Sequence, residues 1–223
     1  MNENIYLSHL AKPLLKEYLQ QYLSRRRHHC KEFKGQLIEV MPTDNTYPAV
    51  CTHADLYHCA VGNRILSGVP AGYSYPSNIG FNGVHLGSFF IHNFKYTAPA
   101  VLSEIEVLGL TKIHVKQGYT KCNLVVVSKD AVITSDRGIA KALSSYPIHV
   151  LLITPGYVDL PGFSYGFLGG ASGLLENEVI FHGDLSAHPD FHKIVSFIIE
   201  HHKKPVWFSS FPLTDIGSII TLL

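Results

Sequence analysis

The chain has 223 residues, with 18 Lys and Arg against 17 Asp and Glu for a formal charge of +1; 46% of it is hydrophobic and only 16% charged. That length and apolar share exclude a disordered or collagen-like chain and suit a single domain with a sizeable core. Near-zero net charge argues against a dedicated nucleic-acid or anionic-membrane binder, because phosphate recognition needs a clustered basic excess; 14 histidines add charge only below roughly pH 6.5.

The first legible element is a helix over residues 13–25, where Leu14, Leu15, Tyr18, Leu19, Tyr22 and Leu23 recur at spacings of three and four behind Pro13. It runs into Arg25-Arg26-Arg27-His28-His29, cations suited to a solvated helix C-terminus. Residues 51–59 carry the densest set of reactive side chains; as a strand they would put Cys51, His53, Asp55, Tyr57 and Cys59 on one face. A strand pair follows, His58-Cys59-Ala60-Val61 turning at Gly62-Asn63-Arg64 into Ile65-Leu66, and then a Gly/Pro loop. Another strand segment covers residues 84–91, with a helix over 100–108 and a strand at Ile113-His114-Val115. The pattern recurs from Cys122 to Thr134, with a helix over 136–143 capped by Ser135 or Asp136 and a strand at 148–152. It recurs again from Gly169 to Phe181, with an amphipathic helix after Pro189 (Phe191, Ile194, Val195, Ile198, Ile199) and a strand at Val206-Trp207-Phe208. A last strand, Asp215-Ile216-Gly217-Ser218-Ile219-Ile220, ends the chain.

A unit of strand, turn, strand, helix, strand therefore repeats, about five times at roughly 45 residues each. Units of that size cannot each bury a core of their own and are expected to close around an axis, with ligand sites where their inner strands meet. The four cysteines (Cys30, Cys51, Cys59, Cys122) are too few for a disulfide framework. No basic stretch followed by an apolar run opens the chain, and no apolar run approaches the ~18 residues of a membrane span. The expectation is a reduced, cytoplasmic, single-domain protein without a cofactor, residues 1–30 forming a helical segment packed on the domain.

This order of elements resembles the pentein, or guanidino-group-modifying-enzyme, superfamily of five-bladed α/β propellers. Lys121-Cys122-Asn123-Leu124-Val125-Val126-Val127, Gly169-Gly170-Ala171-Ser172 and Asp215-Ile216-Gly217-Ser218-Ile219-Ile220-Thr221 look like its inner strands. From about Tyr165 the chain is similar to an uncharacterised bacterial domain family assigned to that fold. The resemblance implies a single α/β domain of five pseudo-symmetric units. It also implies a chemistry in which a cysteine thiolate attacks a guanidinium carbon, a histidine assists, and carboxylates grip the cation in a fork. Val84-His85-Leu86-Gly87-Ser88 looks like the histidine string of the dimethylarginine hydrolases, and His53-Ala54-Asp55 like the His-x-Asp string of the deiminases, though early in the chain. The family's catalytic cysteine belongs on the final strand, and residues 213–223 contain none; Thr214, Ser218 and Thr221 are the hydroxyls there. An unassisted hydroxyl is a far poorer nucleophile, so the standard activity is not carried over.

Two readings remain. In the first, the chain binds a small polar or cationic, guanidinium- or amino-acid-like molecule at the channel mouth, with Asp55, His85, Asn123 and Asp215 as contacts and Cys122 in the lining. In the second, it is a C–N hydrolase or deiminase-like enzyme with Cys122 as a relocated nucleophile and His85 or His53 as base. A docking module like the family's non-enzymatic members is a third, with no basic or apolar face to recommend it. Cys51 and His53, with Asp55, are the candidate metal ligands, without a diagnostic spacing. Neither nucleic acid nor membrane is an expected partner, and oligomeric state is left open. Gly169-Gly170-Ala171-Ser172-Gly173 reads as backbone crowding rather than a phosphate loop, and His182-Gly183-Asp184 and His188-Pro189-Asp190 as local turn chemistry.

Overall fold

The computed structural model describes residues 4–222. In chain order the elements are β1 (Ile5–Ser8), α1 (Pro13–His29), β2 (Leu37–Val40), β3 (His58–Val61), β4 (Arg64–Ser67), β5 (Val84–Leu86), β6 (Phe89–His92), α2 (Pro99–Val107), β7 (Thr111–His114), α3 (Thr120–Asn123) and β8 (Val125–Ser128). They continue with β9 (Ala131–Thr134), α4 (Arg137–Leu143), β10 (His149–Leu152), β11 (Ser172–Leu174), β12 (Glu178–Phe181), α5 (Phe191–Glu200) and β13 (Lys204–Val206). The strands form small separate sheets, and none closes on itself among the described residues.

Three sheets share one plan: an antiparallel hairpin, a helix, and a third strand parallel to the second. They are β5-β6-β7, β8-β9-β10 and β11-β12-β13, crossed by α2, α4 and α5. Each helix is short, so its apolar stripe is satisfied only against a sheet: Val101 and Ile105 in α2, Ile139 and Leu143 in α4, and Ile194 and Ile198 in α5 are all buried. Burying each such side chain contributes roughly 1.5–3 kcal/mol. The β3-β4 hairpin stands without a helix or third strand of its own.

The first sheet departs most from the expected order. β1 runs parallel to β2 with α1 between them, and Tyr6 exchanges two backbone hydrogen bonds of 2.9 Å with Ile220. The C-terminal segment thus supplies β1 with the antiparallel neighbour that a hairpin supplies elsewhere, and the two ends of the chain complete one sheet. Helix α1 seals it by burying Leu15, Leu19 and Leu23 among Ile5, Leu7, Ile180, Phe208 and Ile219.

Several boundaries are corrected. Helix α1 continues to His29, its arginines and histidines filling the last turn. Asp136 is the cap of α4, its carboxylate accepting the Gly138 and Ile139 N–H groups at 2.7 and 2.9 Å. Pro189 lies outside α5, which starts at Phe191 after Asp190. Lys121, Cys122 and Asn123 belong to the one-turn helix α3 rather than to a strand, which begins at Val125. Residues 51–57 are not a strand either: tight turns at Pro48–Val50 and Ala54–Leu56 precede β3, so their side chains do not alternate across a sheet.

The inner segments face a common space. A cavity of about 40 Å³ is lined by Cys59 of β3, Gly83 and Val84 beside and in β5, Val126 of β8, Ser172 and Gly173 of β11, and Ile219 and Ile220 of the C-terminal segment. A cavity of about 1000 Å³ opens among the hairpin turns at Gly62, Gly87, Lys129 and Glu176. No helix among the described residues is long and apolar enough to cross a membrane.

Candidate functional site

Away from the hairpin turns, irregular segments carry a buried polar cluster. Asp55 sits on the Ala54–Leu56 turn, held by its own N–H on the Gly217 carbonyl at 3.0 Å. Its Oδ2 accepts two hydrogen bonds, from Cys122 Sγ at 2.9 Å and from Ser218 Oγ at 2.7 Å. Its Oδ1 is buried and has no partner. Asn82 fixes Cys122: its Oδ1 accepts the Lys121 and Cys122 N–H groups at 2.8 and 3.3 Å, and its Nδ2 lies 3.4 Å from both Cys122 Sγ and the Asp55 carbonyl. His53, Asp55 and Cys122 offer a nitrogen, an oxygen and a sulfur that lie within 4.8 Å of one another, all buried.

Backbone conformation makes this convergence possible. Gly217 and Ser218 both adopt positive φ, 75° and 64°; glycine does so freely, but serine is strained there. A Cβ on Gly217 would stand 2.1 Å from His53 Cβ, and one on Gly170 would stand 2.0 Å from Asp215 Oδ1. Gly217 thus lies against His53 and Gly170 makes room for the Asp215 carboxylate, while Gly169, where a Cβ would stand 2.4 Å from the Cys122 carbonyl oxygen, shows the backbone crowding expected for residues 169–173.

Burial sets the electrostatics. It raises the Asp55 pKa, against the opposing pull of His53 and of the Cys122 and Ser218 hydrogen bonds. It pushes Asp215 up to about 6, although the Phe167 and Gly217 N–H groups, both at 2.9 Å, favour the ionised form. It drives the Cys122 thiol well above its ordinary value, reinforced by Asp55 and Asp215, and lowers His53. The Lys121 ammonium is pulled down by burial and pushed back by Asp55 and Cys122. The resting site therefore holds a thiol and a neutral imidazole at neutral pH.

The candidates divide. His53, Asp55, Cys122 and Asp215 come together, with His53 Nδ1 4.0 Å from Asp215 Oδ1. His85 stands outside this cluster and lines both cavities: its Nδ1 accepts the Gly62 N–H at 3.2 Å and its Nε2–H donates to the Gly87 carbonyl at 2.9 Å. Both ring nitrogens are spent on the hairpin turns, so the ring has no lone pair to take a proton from Cys122. Asn123 is buried with its Nδ2 on the Tyr119 carbonyl at 2.9 Å, and Cys51 accepts the Tyr57 hydroxyl on its own carbonyl at 2.9 Å without joining the cluster. Asp184 holds its own turn through the Ser186 N–H, but His182 and Asp190 act over long range, which corrects their reading as local turn chemistry: the His182 ring accepts the Lys12 N–H at 3.1 Å and donates to the Thr214 carbonyl at 3.0 Å, and Asp190 accepts the Thr154 N–H and the Lys193 ammonium, both at 2.7 Å. Asn82 and Lys121 were not singled out by the sequence, and an isolated Asn-Gly or Lys-Cys pair carries no signal that would have done so.

Comparison with known proteins agrees with this architecture. The sequence profile of a family of unknown function (DUF6873) matches residues 64–220. The chain belongs to this family. Cys122, Asp215 and Ser218 of the DUF6873 protein fall inside the matched span, and His53 and Asp55 precede it. Among solved structures it is similar to a dimethylarginine dimethylaminohydrolase crystallised as an adduct with S-methyl-L-thiocitrulline, with a TM-score of 0.50 and 13% identity over 94% of this chain and 93% of that one. At that identity the likeness shows the fold: the DUF6873 protein is a mixed α/β single domain of the pentein kind. No curated protein matches it in sequence.

Proposed function

We propose that the DUF6873 protein binds a small cationic ligand, guanidinium- or amino-acid-like, with Asp55 as its counter-charge, where five pseudo-equivalent inner segments meet. The observation that carries this is the unpartnered, fully buried Asp55 Oδ1. A buried carboxylate oxygen without a donor costs about 1–3 kcal/mol, so a fold that keeps one is suited to an incoming donor. Aromatic residues on the segments leading to the cluster support a cation: Tyr47 packs edge-on to Phe163 at 6.2 Å, and Tyr75 meets Tyr119 at 5.3 Å. Tyr47, Tyr75 and Phe163 are exposed, and such ring faces attract guanidinium and ammonium groups. Asp215 has its oxygens on backbone N–H groups and acts in this reading as a brace for Phe167 and Gly217. The four unpaired thiols suit a reducing, cytoplasmic setting.

The closeness of Cys122 to His53 favours a second reading, a C–N hydrolase with a relocated nucleophile. It is the weaker one, because the Cys122 proton is given to Asp55 rather than to a histidine and burial disfavours the thiolate.

Calorimetric titration of the metal-free protein with arginine, methylguanidine and simple amines tests the binding reading. Saturable binding by one class, weakened at least about 30-fold in a folded Asp55→Asn variant, is the expected result, since a charged hydrogen bond contributes about 2 kcal/mol. Absence of binding, or binding indifferent to Asp55→Asn, would refute it.

A further inference from the structure

We propose that His53, Asp55 and Cys122 together form a binding site for one thiophilic divalent metal ion of the zinc class. The inference rests on the reading of Asp55 as a cation site and names a cation that its donors fit.

Three observations carry it. The donor atoms are of three kinds, an imidazole nitrogen, a carboxylate oxygen and a sulfur, within 4.8 Å of one another. Ligands at zinc's usual bond lengths of about 2.0–2.3 Å stand roughly 3.3–3.7 Å apart in a tetrahedron, so closing the set takes movements of about 1 Å. All three side chains are at least nine-tenths buried, with His53 at 5%, Asp55 at 0% and Cys122 at 2% exposure. One donor is uncommitted: Asp55 Oδ1 is buried without a partner, while the His53 ring has Asp215 Oδ1 4.0 Å from its Nδ1.

The surroundings match what a metal site requires beyond its ligands. Asp215, 4.0 Å from His53 Nδ1, is placed to orient the imidazole from behind. Asn82 holds the Cys122 N–H and faces its sulfur, fixing the thiol's position before any ion arrives. Three protein donors leave the fourth tetrahedral position for water or an incoming ligand, the pattern of open rather than purely structural zinc sites. An ion also demands less room than a guanidinium group, in a junction where Gly170 and Gly217 already admit no Cβ. Binding exchanges a proton for the metal: the Cys122 S–H bond, now directed at Asp55 Oδ2, breaks, the sulfur–metal bond forms, and the proton leaves to water.

Cobalt(II) titration of chelator-stripped protein tests this, because thiolate ligation gives a near-ultraviolet charge-transfer band and tetrahedral geometry gives intense visible bands. The expected result is both signals saturating at one equivalent, bleached by Zn²⁺, absent in Cys122→Ser and weakened at least tenfold in His53→Gln. Cys122→Ser keeps a hydroxyl donor for Asp55, and its thermal transition verifies the fold. No charge-transfer band in the wild type, or a band that survives Cys122→Ser and so comes from another thiol, overturns the inference. Guanidinium and amine titrations on the stripped protein separate the two readings. Asp55-dependent organic binding with no cobalt band sinks the metal site and leaves the organic-cation site standing, whereas a cobalt band without organic binding keeps Asp55 as a cation site for a metal and sinks the organic-ligand reading.

Discussion

The two ends of the molecule treat polar side chains in opposite ways. At the hairpin-turn end, His85, Lys129, Asp130, His149, His201 and His202 surround a cavity of about 1000 Å³. There, contacts such as the 3.1 Å bond between His149 and His201 are exposed to water. At the other end, glycines bring backbones together and enclose Asp55, Cys122, Ser218 and Asp215. The wide end offers room and the closed end offers chemistry. Volume alone would direct attention to the bowl, but enclosure is what leaves a carboxylate oxygen unpaired and moves the pKa of a thiol, an imidazole and two acids.

The sharpest way to break this contrast is Gly170→Ala. Its Cβ would fall 2.0 Å from the Asp215 carboxylate, which backbone bonds on both oxygens hold in place. We expect a loss of at least about 3 kcal/mol in urea denaturation. Lys129→Ala in the bowl should stay within about 0.5 kcal/mol. A loss under about 1 kcal/mol at Gly170 would mean the closed end is loosely packed.

Next in size is the pH dependence conferred by Asp215. Its folded pKa of about 6 lies above the ordinary 3.8, so folding favours the protonated acid. Its contribution is most favourable below about pH 4 and is lost as pH rises through 6, a change of about 3 kcal/mol. Wild type should therefore gain about that much stability relative to Asp215→Asn between pH 7 and pH 4, measured as the difference of two denaturation series. A difference that does not vary with pH would show Asp215 to be solvated in the fold.

Thiol labelling gives a third test. Cys30 is partly exposed and Cys122 is buried with a raised pKa. Iodoacetamide at pH 7 should modify Cys30 first and leave Cys122 nearly untouched in the native protein, as scored by peptide mass spectrometry. Rapid labelling of Cys122 would instead revive the nucleophile reading. The smallest effect is expected in the bowl, where a double-mutant cycle on His149 and His201 should return a coupling of about 0.5 kcal/mol or less. A coupling above about 1.5 kcal/mol would show that the bowl is more enclosed than its cavity implies.

Regular elements were legible wherever a period existed. The stripe Leu15, Leu19, Leu23 announced α1, and the hairpin–helix–strand order announced three of the sheets. Asp136 is one of the two caps expected for α4 and holds that place, whereas the boundary at Pro189 slips, because α5 starts only at Phe191. The cluster was legible only in part. His53, Asp55, Cys122 and Asp215 stand out as residue types, but residues 51–57 form turns and Cys122 a one-turn helix where strands are expected from the sequence. His85, which a sequence string favoured most, turned out to be tied to the turns at Gly62 and Gly87.

By itself the sequence determined the repeated unit, the helices that cover it, and the absence of a cysteine from residues 213–223, because periodicity and composition are local properties of the chain. Only the tertiary structure decided that β1 pairs with the C-terminal segment, and that Asp55 receives a thiol from 67 residues away and a hydroxyl from 163 residues away. Those contacts are made by irregular backbone, with positive φ at Gly217 and Ser218 and a one-turn helix at Cys122. Such segments have no period to read, and the geometry that joins them exists only once the separate sheets have packed.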